Sequence, residues 1–209
     1  MHRAALRDAL ADGALWGDGA PTAKGRARSA KLNEQARPDA PAVKAALSKV
    51  SEAVLYHAIV KAAAEPDRIV RILFNRYREG MEYGPHVDAP YIDGARTDLS
   101  FTLFLNNHDD YDGGALAIDA AGSEDRIRLP AGSLVLYPSS SVHRVERVTR
   151  GTRLAAVGWI RSRVRSAEHR AILFDLSAAI ADLEVSGASG PARDRLANVR
   201  NNLLRAFGD

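Results

Sequence analysis

The chain has 209 residues, 46% hydrophobic and 26% charged, enough for one large domain or a domain with an appendage. It contains no cysteine, which excludes disulfides, thiolate nucleophiles and cysteine-ligated metals, and suits a cytoplasmic protein. The formal charge of +3 and isoelectric point near 9.3 would suit nucleic acid, but acids crowd the middle of the chain and no basic run interleaves with aromatics, so no nucleic-acid partner is expected.

Residues 1–12 read as a short helix with Leu6 and Leu10 on one face. Its mixed charges are unlike a signal peptide, and no apolar run along the chain is long enough for a membrane helix. The Gly-rich GDGAPTAKGRA is a loop, and ARSAKLNEQA reads as a strand leading out of it. From Asp39 a helix begins, with Pro41 at a permitted first-turn position. Val43, Leu47, Val50, Val54 and Leu55 recur at helical spacing, and the helix runs through His57 to Glu65-Pro66.

After Pro66 the period changes to two. IVRILFNRY, DLSFTLFLN, GGALAID, DRIRLP, GSLVLYP, HRVERV and TRLAAVGWI are short β-rich runs separated by turn residues, the pattern of an antiparallel sandwich or barrel. From Ser166 the helical period returns over 167–185 and 191–207, with SGASGP as the break between. Ile172, Leu173, Leu176, Ile180 and Leu183 form one apolar stripe; Leu196, Val199, Leu203 and Phe207 form another. The expected architecture is mainly β with flanking helices: residues 1–165 as the main domain, and 166–209 as a C-terminal helical subdomain whose two helices pair within the chain. A monomer or a homodimer is expected.

The candidate chemistry sits in NRYREGMEYGPHVDAP. Residues two apart in a strand face the same way, so His86 and Asp88 can aim together into a barrel mouth, and His143 can approach from a neighbouring strand. Two imidazoles and a carboxylate on one side of an octahedral ion leave three open positions, an arrangement suited to non-haem Fe(II). Taken singly, each residue also fits a structural role: a strand end, a turn acid, a surface histidine. His2, His57, His108 and His169 are read as solvated. Arg153, ten positions after His143, raises the metal reading, because its guanidinium fork pairs with a carboxylate of a dicarboxylic co-substrate.

The ordered motifs FNRYREGMEYGPHVDAP, RTDLSFTLFLN, DYDGGALAI and LPAGSLVLYPSSSVHRVERVTRGTRLAAVGWIRS resemble the Fe(II)- and 2-oxoglutarate-dependent dioxygenases, above all the bacterial PKHD-type hydroxylases. The resemblance spans roughly residues 28–205. It implies a double-stranded β-helix (jelly-roll, cupin-like) core, with His86, Asp88 and His143 as iron ligands and Arg153 as the 2-oxoglutarate anchor. It implies O2 as second co-substrate, ascorbate as a stimulant, and succinate and CO2 as products. Tyr77 and Tyr83 fit its Y-x-x-G-x-x-Y-x-x-H-x-D pattern, Tyr77 toward the co-substrate and Tyr83 toward the substrate mouth. Trp159 is read as a pocket wall. Many relatives carry Ser or Thr two residues after the arginine, where this chain has Ala155, so Thr102 and Tyr137 are the candidates to share the oxoglutarate carboxylate. Lys31 and Asn33 are candidate substrate-side residues, with Gln35 alternating to the same face. The substrate, a peptide, protein side chain or small molecule, stays open. The alternative is a non-oxygenase metal-binding β-barrel of the cupin kind.

Overall fold

The computed structural model describes residues 3–120, 122–187 and 190–209. His2 and positions 188–189 of the SGASGP break lie outside them. In chain order the elements are α1 (Arg3–Ala9), β1 (Trp16–Asp18), α2 (Gly25–Ser29), β2 (Lys31–Leu32), β3 (Glu34–Ala36), α3 (Pro41–Tyr56), α4 (Ala58–Ala64), β4 (Pro66–Arg78), β5 (Glu82–His86), β6 (Tyr91–Ile92), β7 (Ala95–Arg96), β8 (Leu99–Phe104), β9 (Tyr111–Gly113), β10 (Leu116–Ala120), β11 (Ser123–Ile127), β12 (Leu134–Pro138), β13 (His143–Val145), β14 (Val148–Ser162), α5 (Ala167–Val185) and α6 (Pro191–Phe207).

The strands form two antiparallel sheets. The major sheet runs β1-β3-β4-β14-β8-β12, with β9 on the near end of β14; the minor sheet runs β11-β10-β13-β5-β2. Alternation gives the major sheet two unlike faces. Ile72, Phe74, Leu99, Phe101, Leu103, Ala156 and Ile160 point to one side and join Leu6, Leu10, Val43, Val50, Val54 and Val60 of α1, α3 and α4 in the main core. Tyr77, Thr102, Phe104, Tyr137 and Arg153 take the other side; Phe104 and Tyr137 meet Leu116 and Ile118 of the minor sheet there. The chain is therefore layered as helices, major sheet and minor sheet. The polar interior lies between the two sheets.

Three expected elements are broken. ARSAKLNEQA is not one strand: residues 25–29 are helical, and the extended part splits at Asn33, with β2 on the minor sheet beside β5 and β3 on the major sheet beside β4. The helix from Pro41 stops at His57, whose backbone is extended (φ −68°, ψ 126°), before α4 begins. The core explains the break. Val50 and Val54 are one helical repeat apart, but the next buried residues are Val60 and Ala64, out of phase with a continuous helix, so one extended residue resets the face. Leu55 is consequently half-buried, and Tyr56 and Ile59 are exposed at the corner. HRVERV likewise splits, because β13 belongs to the minor sheet and β14 starts at Val148 on the major one.

The final helices pack within the chain, α5 against α4 and α6. His169 stacks on Phe207 at 3.7 Å, and Arg200 reaches the Glu65 carboxylate and Ser177 Oγ. The apolar stripes are narrower than the periodicity alone predicts: Ile172 and Val199 face outward at 49% and 47% exposure, whereas Leu173 is sealed at 0%. Leu173→Ala should therefore lower the unfolding free energy by about 2–5 kcal/mol in a urea titration. Ile172→Ala should change it by no more than about 0.5 kcal/mol. Equal effects would place the covered face of α5 elsewhere.

Candidate active site

His86 closes β5 and His143 opens β13, and the two residues are register partners across the minor sheet. Asp88 follows on the same side as His86. Ligand-capable atoms of the three lie within 4.8 Å of one another. His86 Nε2 is 3.9 Å from Asp88 Oδ1, and His143 Nε2 is 3.7 Å from Asp88 Oδ2, beyond hydrogen-bond reach. The other ring nitrogens are occupied: His86 Nδ1 lies 2.8 Å from Gly84 O and His143 Nδ1 lies 3.1 Å from Ser141 O. A carbonyl oxygen only accepts, so each Nδ1 carries a proton, and in the neutral ring this leaves the lone pair on Nε2, the atom nearer Asp88. Burial, and then the neighbouring His143 ring, lower the His86 pKa to about 4 and keep its imidazole neutral. Two imidazoles and a carboxylate so directed make a donor set for a divalent cation.

Two serines orient the carboxylate. Ser100 Oγ donates to Asp88 Oδ2 at 2.5 Å, and with that proton committed, Ser139 donates to Ser100 at 2.9 Å. Thr97 fastens the loop after Asp88 through bonds to Ala89 O and Pro90 O. Tyr83 stacks on His86 with ring centroids 3.7 Å apart, and Tyr137 meets His143 edge-on at 5.0 Å.

Arg153 enters from the major sheet, paired with Tyr77 across β14 and β4. It is 1% exposed, and its Nε, Nη1 and Nη2 have no hydrogen-bond partner. The rings of Tyr77 and Phe104 flank it at 5.4 Å each. Gly114 (φ +61°) lets the backbone pass close by: a Cβ there would sit 3.1 Å from Arg153 Cδ and from Tyr111 Cε2. The Tyr111 hydroxyl is also buried and unpartnered. A guanidinium so sealed, without a counterion, suits a carboxylate in its fork. Burial, partly offset by Arg153, raises the Tyr77 pKa to about 12, so its hydroxyl stays protonated. Burial likewise raises Tyr137, with Thr102 beside its hydroxyl opposing the shift. Ala155 lies two along from Arg153 on the same face and offers no hydroxyl.

Of the remaining candidates, Lys31 is buried across from Tyr83 in the β2–β5 pair. Its Nζ lies 5.0 Å above the Tyr83 ring and donates to Thr22 Oγ1 at 2.8 Å. Asn33 is buried at the passage between sheets. Trp159 is half-buried between Arg71 and Ser100, on the Arg153 face, with an unpartnered Nε1. His57 is exposed at the helix break, His108 is paired with Asp109 at 3.1 Å and His169 lies on Phe207, so none joins the triad. Clefts of about 520 Å³ beside α1 and about 670 Å³ between α4 and α6 contain none of these residues. Sequence reasoning missed Ser100, Ser139 and Tyr111 and did not single out Asn75. Asn75 and Ser100 left a signal: each lies two before a candidate, Tyr77 and Thr102, and so shares its face.

The profile of the 2OG-Fe(II) oxygenase superfamily matches residues 72–161. The chain is 43% identical over 206 residues to a PKHD-type hydroxylase of Acaryochloris marina, covering 99% of this chain and 94% of that one. It is 46% identical over 191 residues to a PKHD-type hydroxylase of Parvibaculum lavamentivorans, covering 91% and 86%. A prolyl-4-hydroxylase from Pseudomonas putida superimposes with a TM-score of 0.55 at 24% identity, covering 77% of this chain and 86% of that one. A prolyl hydroxylase from Trichoplax adhaerens, in complex with a hypoxia inducible factor peptide fragment, does so at 0.57 and 19%, covering 75% and 74%. These likenesses show the fold, the jelly-roll core expected from the sequence. Among the described residues no helix is long and apolar enough to cross a membrane.

Lys31 gives the site a measurable pH signature. Burial lowers its pKa from 10.5 to about 8, against the opposing pull of Asp88 and Asp18. Between those values the folded chain binds fewer protons than the unfolded chain, so stability rises with pH through that window. Below pH 8 the full cost of the buried ammonium is present. In the metal-free protein, Lys31→Met should thus be more stable than the parent at neutral pH, with the difference shrinking toward pH 10.5 in urea titrations. A difference constant across that range would mean that Lys31 titrates normally.

Proposed function

The chain belongs to the PKHD-type hydroxylases of the 2OG-Fe(II) oxygenase superfamily, and we propose that His86, Asp88 and His143 hold its iron while Arg153 anchors its 2-oxoglutarate. The enzyme is an Fe(II)- and 2-oxoglutarate-dependent dioxygenase that hydroxylates an unactivated carbon. With O2, the bound iron and 2-oxoglutarate supply the oxidising power: the co-substrate becomes succinate and CO2, and one oxygen atom enters a substrate C–H bond.

The residues present fit both groups. Each triad imidazole is held through Nδ1–H by a backbone carbonyl and keeps Nε2 free, and Ser100 and Ser139 restrain the Asp88 carboxylate. The observation that carries the reading is Arg153, a buried guanidinium without an anion on the same interior as that donor set. Its fork binds the far carboxylate of 2-oxoglutarate. Tyr77, held protonated, donates a hydrogen bond to the same co-substrate without adding charge. With Ala155 offering no hydroxyl, Thr102 and Tyr137 fill that place. Tyr83 and Trp159 wall the substrate mouth, and Lys31 and Asn33 line its substrate side. The peptide fragment bound by the Trichoplax prolyl hydroxylase supports a peptide or protein side chain as one substrate class. Residues 1–165 carry this apparatus on our reading, with 166–209 a supporting helical subdomain. A non-oxygenase metal-binding barrel is not favoured, since the relatives above are hydroxylases.

Two measurements test the assignments. Asp88→Ala should weaken iron binding by about 10–100-fold in an anaerobic titration. Unchanged affinity would remove Asp88 from the ligand set. Arg153→Lys keeps the charge but loses the fork, so calorimetric 2-oxoglutarate affinity should fall on the order of tenfold or more while iron uptake survives. Equal co-substrate affinity in variant and parent would mean a different anchor.

A further inference from the structure

Three side-chain amides lie on the interior beside the candidate site with part of their hydrogen-bonding capacity unused. Asn33, Gln35 and Asn75 are 2%, 7% and 4% exposed. Gln35 pairs with Asn75 across β3 and β4, and Asn75 pairs with Ala155 of β14. Asn75 is two residues from Tyr77 and Ala155 two from Arg153, so this row shares the face on which Arg153 lies. Asn33 stands at the corner where the chain crosses from the minor sheet to the major one. Its amide packs over Gly19, where a Cβ would come within 2.0 Å of Asn33 Oδ1. It also lies beside the Tyr77 hydroxyl.

Four atoms of this row are buried and unpartnered: Asn33 Nδ2, Asn33 Oδ1, Gln35 Nε2 and Asn75 Oδ1. Buried polar atoms in folded proteins almost always find a partner in protein, ordered water or ligand, so this row is open to one. The chemistry of the set restricts that ligand. It offers donors and acceptors together, and Asn33 supplies one of each whichever way its amide is turned. A carboxylate only accepts and would leave the two oxygens unmatched. An ammonium only donates and would leave the two nitrogens unmatched. A neutral amide does both. 2-Oxoglutarate has only acceptors and is assigned to Arg153, which leaves the row to the substrate.

We propose that Asn33, Gln35 and Asn75 form a specificity-determining subsite that binds a neutral amide of the substrate, next to the carbon to be hydroxylated. This rests on the oxygenase reading above and narrows the substrate class to molecules carrying a peptide bond or a carboxamide. Ala155, the register partner of Asn75, continues the row with a small side chain that adds no polar group.

The test uses protein loaded with 2-oxoglutarate and Zn(II) in place of Fe(II), which keeps nuclear magnetic resonance lines narrow. The side-chain NH2 cross-peaks of Asn33, Gln35 and Asn75 are assigned by their loss in Asn33→Leu, Gln35→Met and Asn75→Leu. Three probes are titrated to their solubility: N-methylacetamide for a peptide bond, acetamide for a primary carboxamide, and methyl acetate, an isostere without N–H. The amides should shift these cross-peaks saturably, methyl acetate should bind about tenfold more weakly, and Asn75→Leu or Gln35→Met should abolish the difference. Tighter binding of N-methylacetamide than of acetamide points to a peptide bond, and the reverse to a carboxamide. Ester and amides binding alike, or amides leaving the three cross-peaks unmoved, overturns the subsite. The probe arms on the parent protein decide this even where a variant fails to fold. 2-Oxoglutarate binding, measured by calorimetry on the same sample, separates the two readings. If it binds while the amides do nothing, the subsite fails and the oxygenase reading stands; if it does not bind, that reading fails and the cross-peaks still decide the subsite.

Discussion

Arg153 carries a full positive charge into an interior where no carboxylate of the described residues answers it. A charge so placed is costly, and the two aromatic rings beside it offset only part of that cost. The fold bears this cost because β14, which carries Arg153, is the spine of the major sheet, held by β4 on one side and by β8 and β9 on the other. A strand fixed on both edges cannot turn its inward row away from the interior. The guanidinium is thus pre-positioned for an anion, and little reorganisation is left for binding.

The two sheets divide the work. The major sheet buries its outer face under helices, which lets its inner face carry polar groups: Asn75, Tyr77, Thr102 and Arg153 alternate with Phe74, Phe101, Leu103 and Ala156. The minor sheet supplies the imidazoles, held by backbone carbonyls because both histidines sit at strand ends. Asp88 is shared between them. It follows a minor-sheet strand, while the serine that restrains it belongs to β8 of the major sheet. The carboxylate is consequently restrained by its serine only when the sheets are docked.

The corner at Asn33 links the same two layers through the chain itself. Lys31 faces Tyr83 on one sheet and Gln35 faces Asn75 on the other, so the strip 31–35 closes one side of the interior. Its alternating residues are buried, whereas Leu32 between them is 55% exposed. The result is a row of amides and one ammonium of depressed pKa on the interior shared by the two sheets.

Local pattern was enough for much of this. The change of period after Pro66 marked the β region, the 86–88 spacing set two candidate ligands on one side, and the motif order carried the family. The bounds of α5 and α6 followed from their apolar repeat and the glycine-rich break. Other features lay beyond local pattern. Nothing near His57 announces a helix break, because it is set by which face of α4 must meet the sheet. Nothing in KLNEQ says that its two halves join different sheets. Ser100 and Ser139 read as ordinary strand and turn residues until docking brings one against Asp88 and the other against its neighbour. By itself the sequence determined the alternation of faces and the chemical types of the candidate site, since strand period and side-chain chemistry are local properties. Only the tertiary structure decided which buried polar groups find partners and which, like Arg153 and the three amides, are left unmatched, because pairing depends on residues far apart in the chain.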